Sequence, residues 1–397
     1  MQTRILFITW DGPQTNYMEG LFMPIFNQIQ QNSNYVFHVI QFTWATPEKV
    51  ELTKNAAQEL NIIYNSITIV RKPITILGNL FTLYKGISFI KKYIKKNNIN
   101  IVMPRSTMPA IMINQLSKIN FKILFDADGL PLEERVDFSG LSKKSWSYLF
   151  LKNQENKMLI NAHGVITRSN KSIAIHIASN SKLERNKFSV VYNGRDSKVF
   201  LPNTSFRESK RAQFSISNET IVFVYSGSLG MQYGFNEMIS IFSEYTKINS
   251  NTIFLILTTS IQFAKDRIPM ELSDKCIVNS VPSKEIPSYL SVANIAFAIR
   301  EPKFSMQGVA PIKLGEYLLM GIPTIASAGI GDTEQILKNI PNCYLFDHEN
   351  ENRILDAVEE IKGLLLCNPL EIRNAAMNYF KIEKSVESYL NAFEKLK

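Results

Sequence analysis

The stretch Ala310–Ser327, APIKLGEYLLMGIPTIAS, places a lysine and a glutamate three residues apart, just after a proline. Pro311 suits the first turn of a helix, and Gly321 suits the position that follows a helix end. Lys313 and Glu316 therefore share one face of a short helix. A helix N-terminus with a lysine in its first turn favours phosphate, and the carboxylate one turn later is placed for sugar hydroxyls. The alternative interpretation is an exposed ion pair on an ordinary helix.

A second phosphate-compatible loop begins the second half of the chain, in VYSGSLGMQYGFNEMISIF. Its glycines, Gly227, Gly230 and Gly234, follow a strand and precede a helix, so backbone N–H groups can approach a phosphate. The spacing is not GxGxxG, and no acidic residue stands at the expected distance, which excludes an NAD site. No GK[ST] follows, which excludes a Walker A loop. Taken alone, the glycines could simply make the turn.

Two carboxylates stand at the end of a predicted strand in the first half of the chain. Asp126 and Asp128 follow KILF, where they could accept a hydrogen bond from a sugar substrate. The alternative is that DADG is an Asx turn that closes the strand. The four histidines and three cysteines show no metal-ligand spacing. We therefore expect neither a zinc site nor a disulfide framework.

The elements that must position these residues alternate along the chain between β-branched runs and amphipathic helical stretches. The predicted strands are 4–9, 36–42, 101–105, 122–127, 164–168 and 188–192, then 220–226, 252–258, 295–299, 323–327 and 343–346. Predicted helices include 17–31, 79–97, 142–161 and 169–180. Continuous apolar strands that alternate with helices imply parallel sheets covered on both faces. The predicted fold class is α/β, with two doubly wound Rossmann-like domains facing a cleft at the strand carboxyl ends.

The strand series restarts after a polar stretch that lacks periodicity, and this restart sets the predicted domain boundaries. An N-terminal acceptor-binding domain spans 1–195, a linker spans 196–219, and a C-terminal domain that binds the donor spans 220–380. The last stretch, 381–397, is an amphipathic helix that we expect to pack back on the N-terminal domain.

Length and charge narrow the class of protein. The 397 residues suit two domains, and the formal net charge of +9 is compatible with nucleic acid, anionic lipid or phosphorylated small molecules. The basic residues are dispersed and no recognition motif is visible, which argues against nucleic acid. No signal peptide and no apolar run of about 18 residues is present. We expect a cytoplasmic protein.

A basic amphipathic helix, 79–98, admits two interpretations. It could pack Leu80, Leu83, Ile87 and Ile90 on the sheet and leave Lys91, Lys92, Lys95 and Lys96 in water. Alternatively, the lysines could attach the protein to an anionic membrane, at the inner face of the plasma membrane. Such attachment would serve an acceptor on a lipid carrier.

Several motifs, in order and at suitable spacing over most of the chain, resemble retaining glycosyltransferases of family 4, which have the GT-B fold. These are the "glycosyl transferases group 1" of bacterial polysaccharide biosynthesis. APIKLGEYLLMGIPTI is similar to the family's SPxKxxEYxxxGxPxI, and SVVYNGRDSKVF to VIPNGVDxxxF. GVITRSNKS, YSGSLGMQYGFNEMI and SKEIPSYLSVANIAFAI also match family patterns. The motifs are specific for the superfamily and not for the substrate.

The resemblance implies a nucleotide-sugar donor, a UDP- or GDP-sugar, held by the C-terminal domain. Glu316 would bond the donor ribose, Gly227 and Ser228 would approach the pyrophosphate, and Lys313 would lie near the phosphates. The backbone at Val281 and Pro282 would border the base. The first loop, WDGPQTNYMEGLF, resembles the family's loop near donor and acceptor, with Glu19-Gly20 in place of a GG turn. The predicted acceptor-binding residues are Asp11, Gly12, Glu19, Gly20 and Arg105; the predicted catalytic residues are Lys313, Glu316, Asp126 and Asp128.

Three departures from the family pattern are visible. Gly308 occupies the position of the first glutamate of E-x7-E, and Met231, Gln232 and Tyr233 replace the usual Arg…Lys pair. The histidine that many members of the family carry in the N-terminal domain is not evident in this sequence. Arg300, Arg195 or Lys313 are the candidates to supply the missing cations.

The resemblance implies a hexosyltransferase-type enzyme that moves a sugar to a glycan or lipid-linked acceptor, with the departing phosphate helping to deprotonate the acceptor hydroxyl. No protein nucleophile is then needed. This chemistry needs no DxD-type metal site, so we predict that the reaction is metal-independent. The alternatives are a nucleotide-sugar epimerase of the same fold and an inactive nucleotide-sugar-binding subunit of a glycan assembly complex.

Overall fold

The structure, a computed structural model, describes residues 2–13, 16–116 and 120–396, which fall into two compact units. Unit 1 comprises Met1–Tyr192 with Ser385–Lys397, and unit 2 comprises Asn193–Lys384. Each unit is built on its own parallel sheet. The prediction of an α/β fold with two doubly wound, Rossmann-like domains is confirmed.

The described part of unit 1 has a seven-stranded sheet in the order β3-β2-β1-β4-β5-β6-β7. Its strands are β1 (Thr3–Asp11), β2 (Tyr35–Thr43), β3 (Ile63–Thr68), β4 (Ile101–Pro104), β5 (Lys122–Asp128), β6 (Gly164–Thr167) and β7 (Phe188–Val190). Its helices are α1 (Met23–Gln31), α2 (Pro47–Glu59), α3 (Thr75–Lys96), α4 (Thr107–Ile113), α5 (Pro131–Ser139), α6 (Trp146–Asn161) and α7 (Asn170–Ser179). A π-helical turn, Met18–Phe22, leads into α1, and a 3-10 turn, Arg185–Lys187, precedes β7.

The unit 1 sheet is covered on both faces, because successive strand residues point to opposite sides. Leu6 and Ile8 of β1 belong to the core that α3, α4 and α6 share. Phe7, between them, packs on Phe26 of α1 at 5.1 Å between ring centroids. On this second side Tyr389, from the C-terminal helix, also contacts Phe26. The helices α3, α4 and α6 therefore form one layer.

The described part of unit 2 has a six-stranded sheet in the order β10-β9-β8-β11-β12-β13. Its strands are β8 (Ile221–Ser226), β9 (Thr252–Leu257), β10 (Cys276–Asn279), β11 (Ile295–Ala298), β12 (Thr324–Ser327) and β13 (Cys343–Phe346). Its helices are α8 (Thr204–Gln213), α9 (Phe235–Ile248), α10 (Ile261–Lys265), α11 (Ile286–Leu290), α12 (Ile312–Leu319), α13 (Thr333–Leu337), α14 (Arg353–Leu365) and α15 (Pro369–Phe380). Short 3-10 turns span Met270–Lys275, Ser283–Glu285 and Phe304–Gly308. The last helix, α16 (Ile382–Glu394), begins in unit 2, and its residues from Ser385 onward belong to unit 1.

The stretch 196–219, predicted as a linker, contains α8 and lies within unit 2. One residue of this polar stretch, Arg211, is buried. Its side chain donates to the carbonyl oxygens of Thr220 and Val292 at 3.1 and 3.0 Å. Burial lowers the pKa of Arg211 to about 10. A helix fixed in this way is part of the domain, because its guanidinium satisfies carbonyl groups of the unit 2 fold.

Three other elements differ from the sequence patterns. The strands β3 and β10 were not predicted, because both are edge strands with half-buried or exposed residues and lack a continuous apolar run. The helix predicted at 79–97 begins at Thr75 instead. Leu80, expected to pack on the sheet, is 55% exposed, because Leu83, Gly86 and Ile90 form the inner face.

Candidate functional site

The helix α12 begins and ends where its proline and glycine predict. Pro311 stands just before its first residue, and Gly321 follows its end with a φ of 69°. The N–H groups of Gly321 and Ile322 bond the carbonyl oxygens of Leu318 and Tyr317, each at 3.0 Å. A Cβ at position 321 would lie 2.5 Å from the Pro369 carbonyl oxygen. Glycine is therefore required there for both its φ and its size.

The side chain of Tyr317 ties α12 to the end of β8. This buried hydroxyl accepts a hydrogen bond from the Ser226 backbone N–H at 2.8 Å. The Tyr317 ring also packs in the core of unit 2. The added bond fixes the first turn after β8 against α12, because Ser226 is the last residue of that strand.

Gly227 and Lys313 lie in direct contact. Gly227 has a φ of 152°, and a Cβ there would fall 1.8 Å from Cε and 2.0 Å from Nζ of Lys313. The lysine therefore crosses directly over the glycine, where a side chain would displace it. Burial lowers the pKa of Lys313 to about 8; Glu316 opposes this shift, and Arg300 and Arg195 add to it. The loop and the helix thus place one ammonium group against Gly227, whose own N–H is donated to the Leu257 carbonyl oxygen at 2.8 Å.

Glu316 is buried and pairs with Arg195, whose Nη2 lies 2.9 Å from Oε1. This partner belongs to the NGR triplet, 193–195. In the same triplet, Asn193 donates from Nδ2 to the Ala310 carbonyl oxygen at 3.1 Å. The triplet therefore contacts this region twice, through Asn193 just before α12 and through Arg195 within the helix. The interpretation of Lys313 and Glu316 as an exposed surface pair does not fit this burial.

Of the remaining predicted donor residues, Ser228 follows Gly227 in the turn after β8, and the others follow β11 and β10 of the same sheet. Ser228 is exposed, and its carbonyl oxygen accepts from the Tyr225 hydroxyl at 2.5 Å. Arg300 comes just after β11, and its guanidinium lies 4.7 Å from the ring centre of Tyr233. Val281 and Pro282 follow β10, at the far edge of the sheet from β13. The structure therefore brings Gly227, Lys313 and Glu316 together, while Val281 and Pro282 follow a strand that lies two positions away from β8 in the sheet.

Among the described residues, one group combines three potential metal ligands: Glu237, Glu301 and His348, with ligand atoms within 4.8 Å of one another. Burial, then Glu237, raises the pKa of Glu301. His348 contacts the Ser327 hydroxyl at 2.9 Å through Nε2. Arg353 already supplies a positive charge near Glu301 and His348. These are the side chains that could hold a cation; the predicted metal independence stays a prediction.

In unit 1, the polar residues gather where neighbouring strands end. Asp11 ends β1, Arg105 follows β4, Asp128 ends β5 and Arg168 follows β6. Because β1, β4, β5 and β6 are adjacent and parallel, their carboxyl ends meet at one edge of the sheet. The sequence analysis missed Arg168. Its signal is a charged residue directly after the buried run GVIT.

The two arginines and two aspartates form one buried network. Arg105 donates to Asp126 at 3.1 Å and to Asp128 at 2.7 Å, and Arg168 donates to Asp126 at 2.7 Å. Burial opposes the charge of Arg105, but Asp128, Asp126 and Asp11 outweigh it and raise its pKa. The guanidinium also lies 4.6 Å from the Phe22 ring centre. Arg105 is therefore held rigidly, as a preorganised cation.

The two aspartates differ in what they can reach. Asp126 is fully buried and accepts from Arg105, Arg168 and the Asp128 N–H, so it orients the arginines. The Asp128 side chain is 34% exposed, and its φ of 63° is unusual for a non-glycine residue. An Asx-type bond does close the turn, as one interpretation predicted. Asp128 is thus the carboxylate of this pair that a ligand can contact.

The predicted acceptor loop is only partly a loop. Asp11 accepts from the Thr9 hydroxyl and Gln41 at 2.8 and 3.1 Å, and burial raises its pKa. Glu19 forms an ion pair with Lys49. Gly20 lies in the π-helical turn, and a Cβ on Gly12 would lie 3.0 Å from Trp44. Gln14 and Thr15, which belong to the same motif, lie outside the described residues.

Solved structures share this architecture over the whole chain. A glycosyltransferase from Rickettsia africae superposes with a TM-score of 0.71 at 15% identity, covering 100% of this chain and 98% of the other. The fold is that of the GT-B glycosyltransferases. Anabaena HepE in complex with UDP-glucose gives 0.71 at 14% identity, covering 99% and 100% of the two chains. The lipopolysaccharide outer core galactosyltransferase WaaB gives 0.66 at 15% identity, covering 99% of each chain.

A candidate UDP-N-acetylglucosamine 2-epimerase from Listeria monocytogenes is also similar, with a lower TM-score of 0.60 at 11% identity, covering 99% and 96% of the two chains. No protein-family model matches this sequence, and no curated protein is significantly similar to it. At these identities the likeness establishes the fold. The function has to be argued from the residues.

Proposed function

We propose that the protein is a retaining glycosyltransferase, of the type that family 4 represents, which moves a sugar, of the hexose class, from a UDP- or GDP-sugar to a glycan or lipid-linked acceptor. The proposed setting is cell-surface polysaccharide or glycoconjugate synthesis in the cytoplasm, at the inner face of the plasma membrane. The reaction is proposed to need no metal ion.

The observation that carries this proposal is the contact between Lys313 and Gly227 beside Glu316. An ammonium group at a helix start, beside a turn that carries no side chain at Gly227, suits a pyrophosphate. Glu316, one turn along α12 and held by Arg195, is placed to accept from ribose hydroxyls. HepE has been solved with UDP-glucose on the same fold, which supports this assignment.

During the reaction, negative charge grows on the phosphate that leaves the sugar. Lys313 would stabilise that charge more strongly in the transition state than in the bound donor, so it lowers the barrier. Arg300 is the second cation of this kind that we propose. The leaving phosphate would then help to remove the acceptor proton, which requires no protein nucleophile.

Unit 1 is proposed to bind the acceptor through the strand-end network. Asp128 would accept from an acceptor hydroxyl, while Arg105, at 2.7 Å, and Arg168, at 3.8 Å, hold its orientation. Asp11, Gly12, Glu19 and Gly20 are proposed to border the same acceptor. Asp126 acts through the arginines as a positioning residue, since it is fully buried.

The test is a panel of nucleotide sugars, since a ligand that binds the folded state raises the unfolding temperature. We expect one UDP- or GDP-sugar to stabilise the protein and to be consumed only when an acceptor is added. Lys313→Met should lose most turnover, whereas Lys265→Met, at an exposed position of α10, should keep it.

Two outcomes of this panel favour the alternatives. Conversion of the nucleotide sugar to its epimer without acceptor would identify an epimerase. Tight donor binding without sugar transfer to any acceptor tested, and without formation of the epimeric nucleotide sugar, would favour a binding subunit.

A further inference from the structure

The outer face of α3 carries an apolar stripe that no described part of the chain covers. Leu77, Leu80, Phe81 and Tyr84 recur at helical spacing, and all four are exposed, Tyr84 by 78%. The opposite face of the same helix, with Leu83, Gly86 and Ile90, is buried on the sheet. The first half of α3 is therefore apolar on both sides, which is unusual for a helix at a protein surface.

The same stripe becomes basic in the second half of the helix. At 100° per residue, Lys91 and Lys95 continue the line of Leu77 and Tyr84, and both lysines are exposed. Seven basic residues lie between 71 and 96: Arg71, Lys72, Lys85, Lys91, Lys92, Lys95 and Lys96. No aspartate or glutamate occurs from Leu60 through Phe125. This surface carries apolar groups and positive charge without compensating carboxylates on its own segment.

A second exposed apolar group lies in the same layer of helices. Trp146, at the start of α6, is 78% exposed and stacks on Phe150 at 5.5 Å between ring centroids. Leu149 is also exposed, and Lys144 stands beside this group in the sequence. The helices α3, α4 and α6 share one core, so both groups belong to one side of unit 1.

We infer that the outer face of α3, with the start of α6, docks on an anionic lipid bilayer. Exposed leucine and aromatic side chains enter the boundary between headgroups and acyl chains, and the lysines contact the anionic headgroups. Charge complementarity favours this partner over a second copy of the chain, because a symmetric contact through this face would offer the lysines no carboxylate from the segment between Leu60 and Phe125. Among the described residues no helix combines the length and hydropathy that a membrane-spanning segment needs.

This inference deepens the proposed function, since it gives the surface that would bring the enzyme to a lipid-linked acceptor. It adds exposed apolar side chains to the lysines that the sequence pattern offered for membrane attachment. Its test uses no nucleotide sugar, so failure of vesicle binding and failure of glycosyl transfer can be told apart.

The experiment is co-sedimentation of the full chain with vesicles of phosphatidylcholine, with or without phosphatidylglycerol. We expect binding to the anionic vesicles only. The triple variant Leu77→Ser, Leu80→Ser, Tyr84→Ser should bind about tenfold more weakly or worse. Replacing Lys91, Lys92, Lys95 and Lys96 with Gln should also weaken binding and reduce its dependence on salt. The matched control, Met270→Ser with Leu355→Ser and Leu366→Ser, changes exposed apolar residues of unit 2 and should bind like the parent.

Trp146 gives an independent readout, because its fluorescence should shift to shorter wavelength on anionic vesicles and should be quenched by brominated lipid. Equal vesicle binding by the triple variant and the parent, with both folded by circular dichroism, would overturn the inference. So would a dimer in solution that the triple variant converts to monomer, since the face would then be covered by a second copy.

Discussion

At the scale of single residues, the charge state of Lys313 decides how strongly a pyrophosphate can bind. Its pKa of about 8 lies below the ordinary value because burial disfavours the ammonium form. The group is mostly protonated at neutral pH and loses its charge as pH rises through 8. A bound pyrophosphate would favour the charged form and raise the pKa again. Donor affinity and lysine protonation are therefore linked.

We predict that affinity for the stabilising nucleotide sugar falls by up to about tenfold per pH unit above 8. The pyrophosphate of a nucleotide sugar does not titrate in this range, so the effect reports on the protein. Isothermal titration calorimetry between neutral pH and pH 9.5 measures it. Lys313→Met should bind weakly at every pH; a parent affinity that stays flat across this range would remove Lys313 from the phosphate site.

The stability of the unliganded protein should move in the opposite direction. The folded-state pKa of Lys313, about 8, is below its unfolded value of 10.5, so burial of the charged form costs stability below pH 8. That cost recedes as pH rises from about 8 to 10.5. In urea unfolding, the difference between the parent and Lys313→Met should therefore shrink across this window, and a constant difference would contradict the linkage.

Glu316→Gln tests the second charged residue of α12. The substitution keeps size but weakens acceptance of two ribose hydroxyls, and hydrogen bonds to a charged acceptor contribute about 1.5–3 kcal/mol each. Donor affinity should fall by at least about tenfold. Because Glu316 is buried against Arg195, the unfolding temperature should fall as well. A double-mutant cycle with Arg195→Met separates the effects: the stability losses should not add, whereas unaltered donor affinity in Glu316→Gln would exclude the ribose contact.

At the scale of elements, the site depends on how closely the turn after β8 approaches α12. Tyr317 holds the two together through the Ser226 N–H, and Gly227 leaves room for the lysine. Both features come from a strand and a helix that are distant in the chain. The parallel sheet makes them neighbours, since β8 and β11 are adjacent and α12 follows β11.

Gly227→Ala should therefore disable the site while Gly230→Ala should not. A Cβ at 227 would collide with Lys313, and the φ of 152° at this position is unfavourable for alanine. A Cβ at 230 meets no atom within 4 Å. We expect donor affinity to fall by about tenfold or more in the first variant and to stay at the parent value in the second. Calorimetric titration of both variants checks this. Equal affinity in the two would mean that Lys313 does not need its present position.

At the scale of the whole molecule, the described residues form two units, each with its own sheet and buried core. A donor bound to unit 2 should raise the free energy of unfolding of that unit first, by about 2.7 kcal/mol when the free donor concentration is a hundred times Kd. Hydrogen exchange with mass spectrometry can resolve the units. We expect β8 and α12 to slow more than β1 and β2, with no such change in Lys313→Met. Protection that is equal in both units would show that they open as one.

Sequence patterns alone determined much of this protein because they depend on short-range physics. Buried parallel strands read as continuous apolar runs, so the alternation of strands and helices gave the fold class. Pro311 and Gly321 marked the ends of α12 because each suits one backbone conformation. Lys313, Glu316 and Gly227 could be singled out by residue type and spacing.

Tertiary structure decided the partners and the covered surfaces, because these depend on residues far apart in the chain. Arg195 reaches Glu316 across more than a hundred positions, and Arg168 joins Asp126 only since their strands are adjacent. Helical periodicity showed that α3 is amphipathic, yet it could not tell which of two apolar faces the sheet would cover. In the folded protein Leu83 is buried and Leu80 is exposed, so Leu80 belongs to the surface that we propose for membrane docking.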